Sequence, residues 1–363
     1  SPGWKGRNMS SPETTRSGKR PATGLKGILA GMPRERLEDI SIGSVLLVLV
    51  LVFAILTPTG TFLTVDNLKN VMVNASTLMV LAAGVTVLLI AGGLDLSIGS
   101  VIVFSSVLTA KVVGGMSGAE DAIATGNYDH LGLAIGVGVV VALASGAAWG
   151  VFNGLIIVRL RIPSFIATLG TLGIALGLAQ VLADGVNVAN IPVPLQEKFG
   201  LGQAFGILPW PVVVAAAVTA VLWVLLSRTR FGLRNYAIGS NAESARRAGV
   251  NVNRHMFILY VMIGVLAGIV ATIDVSRFGV ASLSAHSQDA LAAIAAAVIG
   301  GTSLFGGRGR MFGTIIGVFI PAVLLNGFVI LQIDPFWQNV AVGIVLLTAV
   351  YVDQLRRNKN ASF

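Results

Sequence analysis

VMVNASTLMVLAAGVTVLLIAGGLDLSIGSVIVFSSVLTA, residues 71–110, contains a single charged side chain, Asp95. A hydrocarbon core about 30 Å thick needs roughly 20 mostly apolar residues per helical crossing, so this run holds two crossings joined at the glycines. The same texture extends from Ile40 to Leu355, with almost every Lys and Arg in the gaps between apolar runs. Hydrophobic residues make up 55% of the chain and charged ones 11%, against about 25% charged in an ordinary soluble domain. Backbone polar groups in lipid must bond within their own segment, which makes each run a helix. The fold class is therefore an all-α polytopic membrane protein.

Ten spans are read, near 41–57, 71–91, 96–116, 131–157, 164–183, 211–227, 255–273, 290–304, 312–331 and 336–353. With the N-terminus inside, 21 of the 25 Lys and Arg fall on the cytoplasmic side, as the positive-inside rule requires. Lys69, Lys111, Lys198 and Arg277 are the remainder. The expected organisation is a disordered basic tail over 1–40, a transmembrane domain over 41–355 and a C-terminal tail over 356–363, with both tails cytoplasmic. Loops 117–130 and 184–210 are expected outside. The first apolar run lies too far in and is too long for a cleavable signal peptide, and Met9 is a candidate natural start.

The net charge of +9 is spread over loops and tails, which fits membrane orientation and contact with anionic lipid rather than a nucleic-acid face. There is no Cys, and His130, His255 and His286 are scattered without metal-ligand spacing. No phosphate-loop motif and no nucleophile–base pair occurs, so neither catalytic nor metal-binding residues are expected.

Three segments stand out. Gly92-Gly93-Leu94-Asp95-Leu96-Ser97-Ile98-Gly99 joins spans two and three. A carboxylate near membrane depth costs about 2.5–3.5 kcal/mol, so Asp95 needs partners. It, or Ser97, also suits a helix N-cap, and both readings stand. The loop 228–254 contains a short helix near 240–249. Ser240 and Glu243 have capping-box spacing, Arg246 and Arg247 suit a helix C-terminus, and Gly249 suits the position after it. So short a helix must dock, either on its own membrane domain or on a cytoplasmic partner. Ile299-Gly300-Gly301 through Arg310 reads as a close-packed helix end and sharp turn. A weak repeat links Phe152-Asn153-Gly154 in span four to Leu325-Asn326-Gly327 in span nine. Pro163 with Phe165 then echoes Pro335 with Phe336, as an inverted repeat of five-helix halves would produce.

At GGLDLSIGS (92–100), FNGLIIVRLRIPSFIATLGT (152–171), AIGSNAESARRAGVNVNR (237–254) and AVIGGTSLFGGRG (297–309) the chain resembles the permease subunits of ribose-type ABC sugar importers. The resemblance runs over about 60–350 and implies a fold related to vitamin-B12-type (type II) importer permeases. It implies a homodimer-forming subunit of a bacterial inner membrane importer. An extracytoplasmic binding protein delivers the monosaccharide, and a cytoplasmic ATPase chain binds ATP and Mg. The coupling residues would be Asn241, Glu243, Ala245, Arg246 and Gly249. Gly92, Gly93, Asp95, Ser97, Gly99, Gly300 and Gly301 would form gating or structural motifs. Asn153, Phe165, Thr168, Thr171, Asn326, Trp337 and Asn339 are pathway candidates. Many members of that group carry an acidic triplet where this chain has Ala290-Leu291-Ala292, with Asp289 displaced by one. The alternative is an ion-coupled secondary transporter of a small polar solute using Asp95. It would need an ionisable site near the midplane, whereas Asp95 is read at a span end.

Overall fold

The computed structural model describes residues 34–118, 126–189 and 191–334, and beyond these 336, 337, 340, 341, 343, 344, 347, 348, 351 and 354. The expected disorder of the N-terminal tail, most of the tenth span and the C-terminal tail lie mainly outside the described residues. Among the described residues, eight helices are long and apolar enough to cross a membrane: α1 (Arg34–Leu56), α2 (Val65–Ile90), α3 (Ile98–Ser117), α4 (Leu131–Val158), α5 (Ser164–Leu182), α6 (Trp210–Arg228), α9 (Val252–Phe278) and α11 (Met311–Ile330). Between α6 and α9 lie the shorter α7 (Arg230–Ser240) and α8 (Ala242–Arg247). Between α9 and α11 lies α10 (Asp289–Ile299).

α2 is the central helix, with 78% of its apolar window buried against 11% for α1. From Leu78 to Ile90 it is apolar on every side but for Thr86, as a helix stretch enclosed by others must be, and Val80, Leu81, Leu88 and Ile90 are sealed in the core. The helix pairings repeat when α2, α3 and α4 are exchanged for α9, α10 and α11. α4 packs on α9 as α11 does on α2; α3 packs on α9 as α10 does on α2; and α3 meets α4 as α10 meets α11. This matching is what an inverted repeat predicts. The outer helices depart from it, with α6 on α2 and α1 on α11.

The expected eighth span, 290–304, is corrected. α10 has only 11 residues, about 16 Å of helix, or half a bilayer. Its C-terminus is set by Gly300 and by Gly301, whose φ of +88° suits glycine. Residues 279–288, which lead into α10, are non-helical. The expected external loop 184–210 carries a two-strand hairpin, Gln203–Ala204 with Leu208–Pro209.

α4 packs closely on α9, where Gly146 lies on Gly264 and Gly150 on the carbonyl of Tyr260. A Cβ at Gly264 would collide with the Gly146 carbonyl oxygen and sit 2.8 Å from the Gly150 nitrogen. Both obstacles are backbone, so relief requires the helices to separate. Gly264→Leu should cost about 3 kcal/mol and lower the melting temperature of the detergent-solubilised protein, since overpacking forces backbone shifts. Gly43→Ala, where an added Cβ meets nothing within 4 Å, should leave the melting temperature in place.

Candidate functional site

The turn after α2 is built by glycine and closed by Asp95. Gly92 has φ +79°, and the Gly93 N–H donates back to the Leu88 carbonyl at 3.0 Å. Asp95 Oδ1 then accepts the Ser97 N–H at 2.8 Å and the Ser97 hydroxyl at 2.6 Å. Asn153 Nδ2 on α4 donates to Ser97 Oγ at 2.9 Å, and the Tyr260 hydroxyl on α9 donates to the Leu94 carbonyl at 3.3 Å. Asp95 is 5% exposed and Ser97 fully buried. The capping expectation needs correcting in detail. Ser97 occupies the N-cap position of α3 without a side-chain cap bond, because its hydroxyl is given to Asp95. The carboxylate organises the turn before the helix and does not cap the helix itself.

Three glycine segments converge on the same end of the bundle. The Gly307 N–H donates to the Ile90 carbonyl at 2.8 Å, and a Cβ on Gly239 would collide with that carbonyl. The Tyr236 hydroxyl donates to the Gly309 carbonyl at 2.8 Å. Asn235 Nδ2 donates to the Val87 carbonyl at 2.7 Å, and Asn235 Oδ1 lies 2.9 Å from His255 Nε2. Gly300 lies against Gly313 and Thr314, where a Cβ would sit 2.5 Å from backbone atoms. Arg310 holds Asp39 through two bonds of 3.0 and 2.9 Å, tying α11 to α1. So α7 is seated rigidly on the ends of α2 and α11.

α8 stands on that seat. Its N-cap is Asn241, whose Oδ1 accepts the Ser244 N–H at 2.9 Å, so the expected capping box from Ser240 to Glu243 is corrected by one residue. Glu243 pairs instead with Arg246 at 3.0 Å and Arg247 at 3.3 Å. Gly249 has φ +85°, and the Val250 N–H donates to the Ala245 carbonyl at 3.0 Å, which is the geometry of a Schellman cap. Ala245 is the only buried residue of α8. It packs on Ile238 and Val252, toward its own chain, and not outward as a docking face would require. Asn241, Glu243, Arg246 and Gly249 are exposed. A cleft of about 620 Å³ opens beside α8, lined by Ile157, Val158, Arg161, Arg246, Asn253 and Met256.

The pathway candidates separate. Phe165 and Trp337 are 55% and 62% exposed, whereas Thr168 and Thr171 are buried and bond back to their own helix. Asn153 is committed to Ser97, and Asn326 exchanges two bonds with Asn67 at 3.1 and 2.9 Å. Asn339 lies outside the described residues. Sequence reasoning passed over a further cluster. His286 Nε2 lies 3.0 Å from Asp274 Oδ2 on α9, and His286 Nδ1 lies 2.7 Å from Asp289 Oδ2 at the start of α10. Asp274 sits one residue past the predicted end of span seven. A carboxylate inside an apolar run is the signal that would have marked it.

Apolar spans, one of them broken, closed at one end by glycine turns that hold up a short exposed helix, have the build of a membrane transport subunit. Over residues 67–350 the chain matches the family described as the permease component of branched-chain amino acid transport systems, and it belongs to that family. It is similar to a ribose import permease protein of Escherichia coli K12, 35% identical over 317 residues that cover 86% of this chain and 94% of that protein. A ribose import permease protein of Bacillus subtilis is 37% identical over 310 residues, covering 85% and 90%. A D-allose transport system permease protein of Escherichia coli K12 is 33% identical over 311 residues, covering 86% and 90%. No solved structure matches the chain. The protein is a permease, a transport component and not an enzyme.

Proposed function

We propose that the chain is the membrane-spanning subunit of an ATP-driven importer that carries a monosaccharide or related polyol into the cytoplasm across the bacterial inner membrane. The observation that carries this reading is the 33–37% identity, over most of the chain, to permeases named for ribose and allose. ATP and Mg are bound by a separate cytoplasmic ATPase chain, and an extracytoplasmic protein delivers the sugar. α8 and the basic cleft beside it face the ATPase, with Glu243, Arg246 and Arg247 as the contact surface and Ala245 as its anchor. Both tails, 1–40 and 356–363, are cytoplasmic, as the distribution of basic residues supports. A second copy of the chain completes the pathway. α5 leaves Phe165, Ile166, Leu169 and Ile174 exposed, and a Cβ added at Gly170, Gly173 or Gly177 would meet nothing within 4 Å. Small residues on an open helix face permit close approach of another membrane helix.

The purified chain should hydrolyse no ATP, and sugar uptake into proteoliposomes should require the ATPase and the binding protein together. Uptake driven by a proton or sodium gradient without ATP would establish the secondary-transporter alternative. Because the chain has no Cys, single cysteines report topology cleanly. Position 121 should label from outside the cell and position 246 only from the cytoplasm. Cytoplasmic labelling of position 121 would overturn the orientation.

A further inference from the structure

The break in the eighth crossing is placed and held in a way that its own packing does not require. Ala281 packs with Val103, Val107 and Val275, beside the far end of α9, and its backbone pairs with Val188 at 2.8 and 3.1 Å. Five residues later the His286 carbonyl presses on Gly99, where any Cβ would collide with it. On α3, Val103 and Val107 lie four and eight residues beyond Gly99, so this stretch of chain descends about 6–12 Å along the bundle. α10 adds about 16 Å, and together they approach the roughly 30 Å of a bilayer core. Residues 282–288 therefore lie at membrane depth without helical backbone.

Irregular backbone at that depth is tolerated only where it is buried in protein or lines a water-filled cavity. Here Ser284, Ser287 and Gln288 are exposed, and Asp289 is partly exposed. These are hydrogen-bonding side chains directed away from the subunit's own core, which lipid would not accept. The conformation is also strained: His286 has φ +63°, a region non-glycine residues rarely adopt and which persists only where surroundings impose it. The imposing contacts are Asp274 and Asp289 on either side of the imidazole, which is itself 13% exposed. Arg277, on the same face of α9, bonds Asn74. Finally, the break precedes α10 just as the Asp95 turn precedes α3, and α3 and α10 are the matched helices of the two halves. Interrupted segments in corresponding positions of an inverted repeat point to the substrate route.

We propose that residues 284–289 form a sugar-contact station on the translocation route, with Ser284, Ser287, Gln288 and Asp289 offering hydrogen bonds to sugar hydroxyls and His286 holding the segment in shape. The proposal rests on the importer reading above and adds a site to it. Asp289 and Gln288 are the groups best suited to a polyol, one an acceptor of hydroxyl protons and the other both donor and acceptor. His286 is a positioning residue, since Nδ1 is hydrogen-bonded to Asp289 and Nε2 lies 3.0 Å from the Asp274 carboxylate.

The test uses the permease assembled with its ATPase and binding protein in proteoliposomes. Single cysteines are placed at 287 and 288, with Leu47 on the exposed face of α1 and fully buried Ile102 as controls. A charged, water-soluble methanethiosulfonate should modify positions 287 and 288 and spare 47 and 102. D-ribose, D-allose or D-galactose at transported concentration, with the binding protein and ATP, should slow modification at 288. Gln288→Ala should lower uptake about three- to tenfold, the effect of losing one or two hydrogen bonds, while ATPase co-purification stays at the wild-type level. His286→Leu should abolish the protection that sugar gives to a cysteine at position 288, and His286→Gln should restore part of it. Wild type transporting sugar while positions 287 and 288 stay inert would overturn this station and leave the importer reading intact. Wild type showing no ATP-dependent sugar uptake at all would overturn the importer reading itself.

Discussion

Asp95→Leu is expected to abolish most uptake, while Asp95→Asn keeps a substantial part of it. The difference follows from what the carboxylate does. One oxygen, Oδ1, accepts both the Ser97 N–H and the Ser97 hydroxyl, and Asn153 then completes the chain through Ser97 Oγ. An Asn side chain presents an acceptor oxygen of the same reach, so both bonds survive the loss of charge. Leucine leaves two buried donors unpartnered, at about 1–3 kcal/mol each, and the turn that sets the start of α3 loosens. Gly99 lies two residues further on, pressed by the His286 carbonyl, so a shift at Ser97 is passed to the broken crossing. The measurement is ATP-dependent sugar uptake at matched membrane levels, with co-purification of the ATPase as the control for assembly. Equal uptake by the Leu and Asn variants would show that the acceptor is dispensable. Loss of uptake in Asp95→Asn, with transport driven by an ion gradient, would assign the carboxylate a charge-carrying role.

The crossings that were legible in the sequence are those for which composition is sufficient. A run such as 78–90 is apolar on nearly every face, so no knowledge of neighbours is needed to place it in a membrane. The eighth crossing fails that test. Ala290 to Leu304 is as apolar as a full span, yet Gly300 and Gly301 end the helix at Ile299, and Ser-, His- and Gln-bearing residues 284–288 resemble an external loop. Composition cannot distinguish a polar segment outside the bilayer from one that descends into a bundle. Only the contact between His286 and Gly99 does so. The Asp95 turn was visible as a lone charge, but its partner Asn153 lies 56 residues beyond Ser97 and belongs to a helix whose rotation the sequence does not reveal. The same holds for Thr168 and Thr171, which turn inward on α5, and for Ala245, whose small size fits either an outward docking face or the inward seat it occupies. Gly249 was legible for a local reason: it ends a short helix in a backbone conformation that favours glycine.

Gly249→Val is expected to leave the membrane bundle folded and to cost the chain its ATPase. At φ +85° a β-branched side chain is strained by about 1–3 kcal/mol, and the cap that returns Val250 to the Ala245 carbonyl is lost. α8 is only six residues long, so it has no helical stability of its own to absorb that loss. Ala245→Trp should act on the same element from beneath, because the indole would have to enter the contact with Ile238 and Val252 and would lift α8 from its seat. Glu243→Lys separates the seat from the surface. It removes exposed ion pairs with Arg246 and Arg247 that contribute at most about 1 kcal/mol, so α8 stays in place while the one negative charge on its outward surface becomes positive. All three changes lie away from the packed α2–α9 core, so membrane levels and melting temperature of the solubilised permease should stay near wild type. Pull-down of the ATPase should fall for each variant, and uptake should fall more than tenfold for Gly249→Val and Ala245→Trp. If Gly249→Val and Ala245→Trp disrupt binding and Glu243→Lys does not, the ATPase recognises the shape of α8 and not its charge. If all three bind and transport as wild type, residues 241–249 are not the coupling element, and the ATPase must grip the bundle through the glycine turn at 300–309 or the cleft at Arg161.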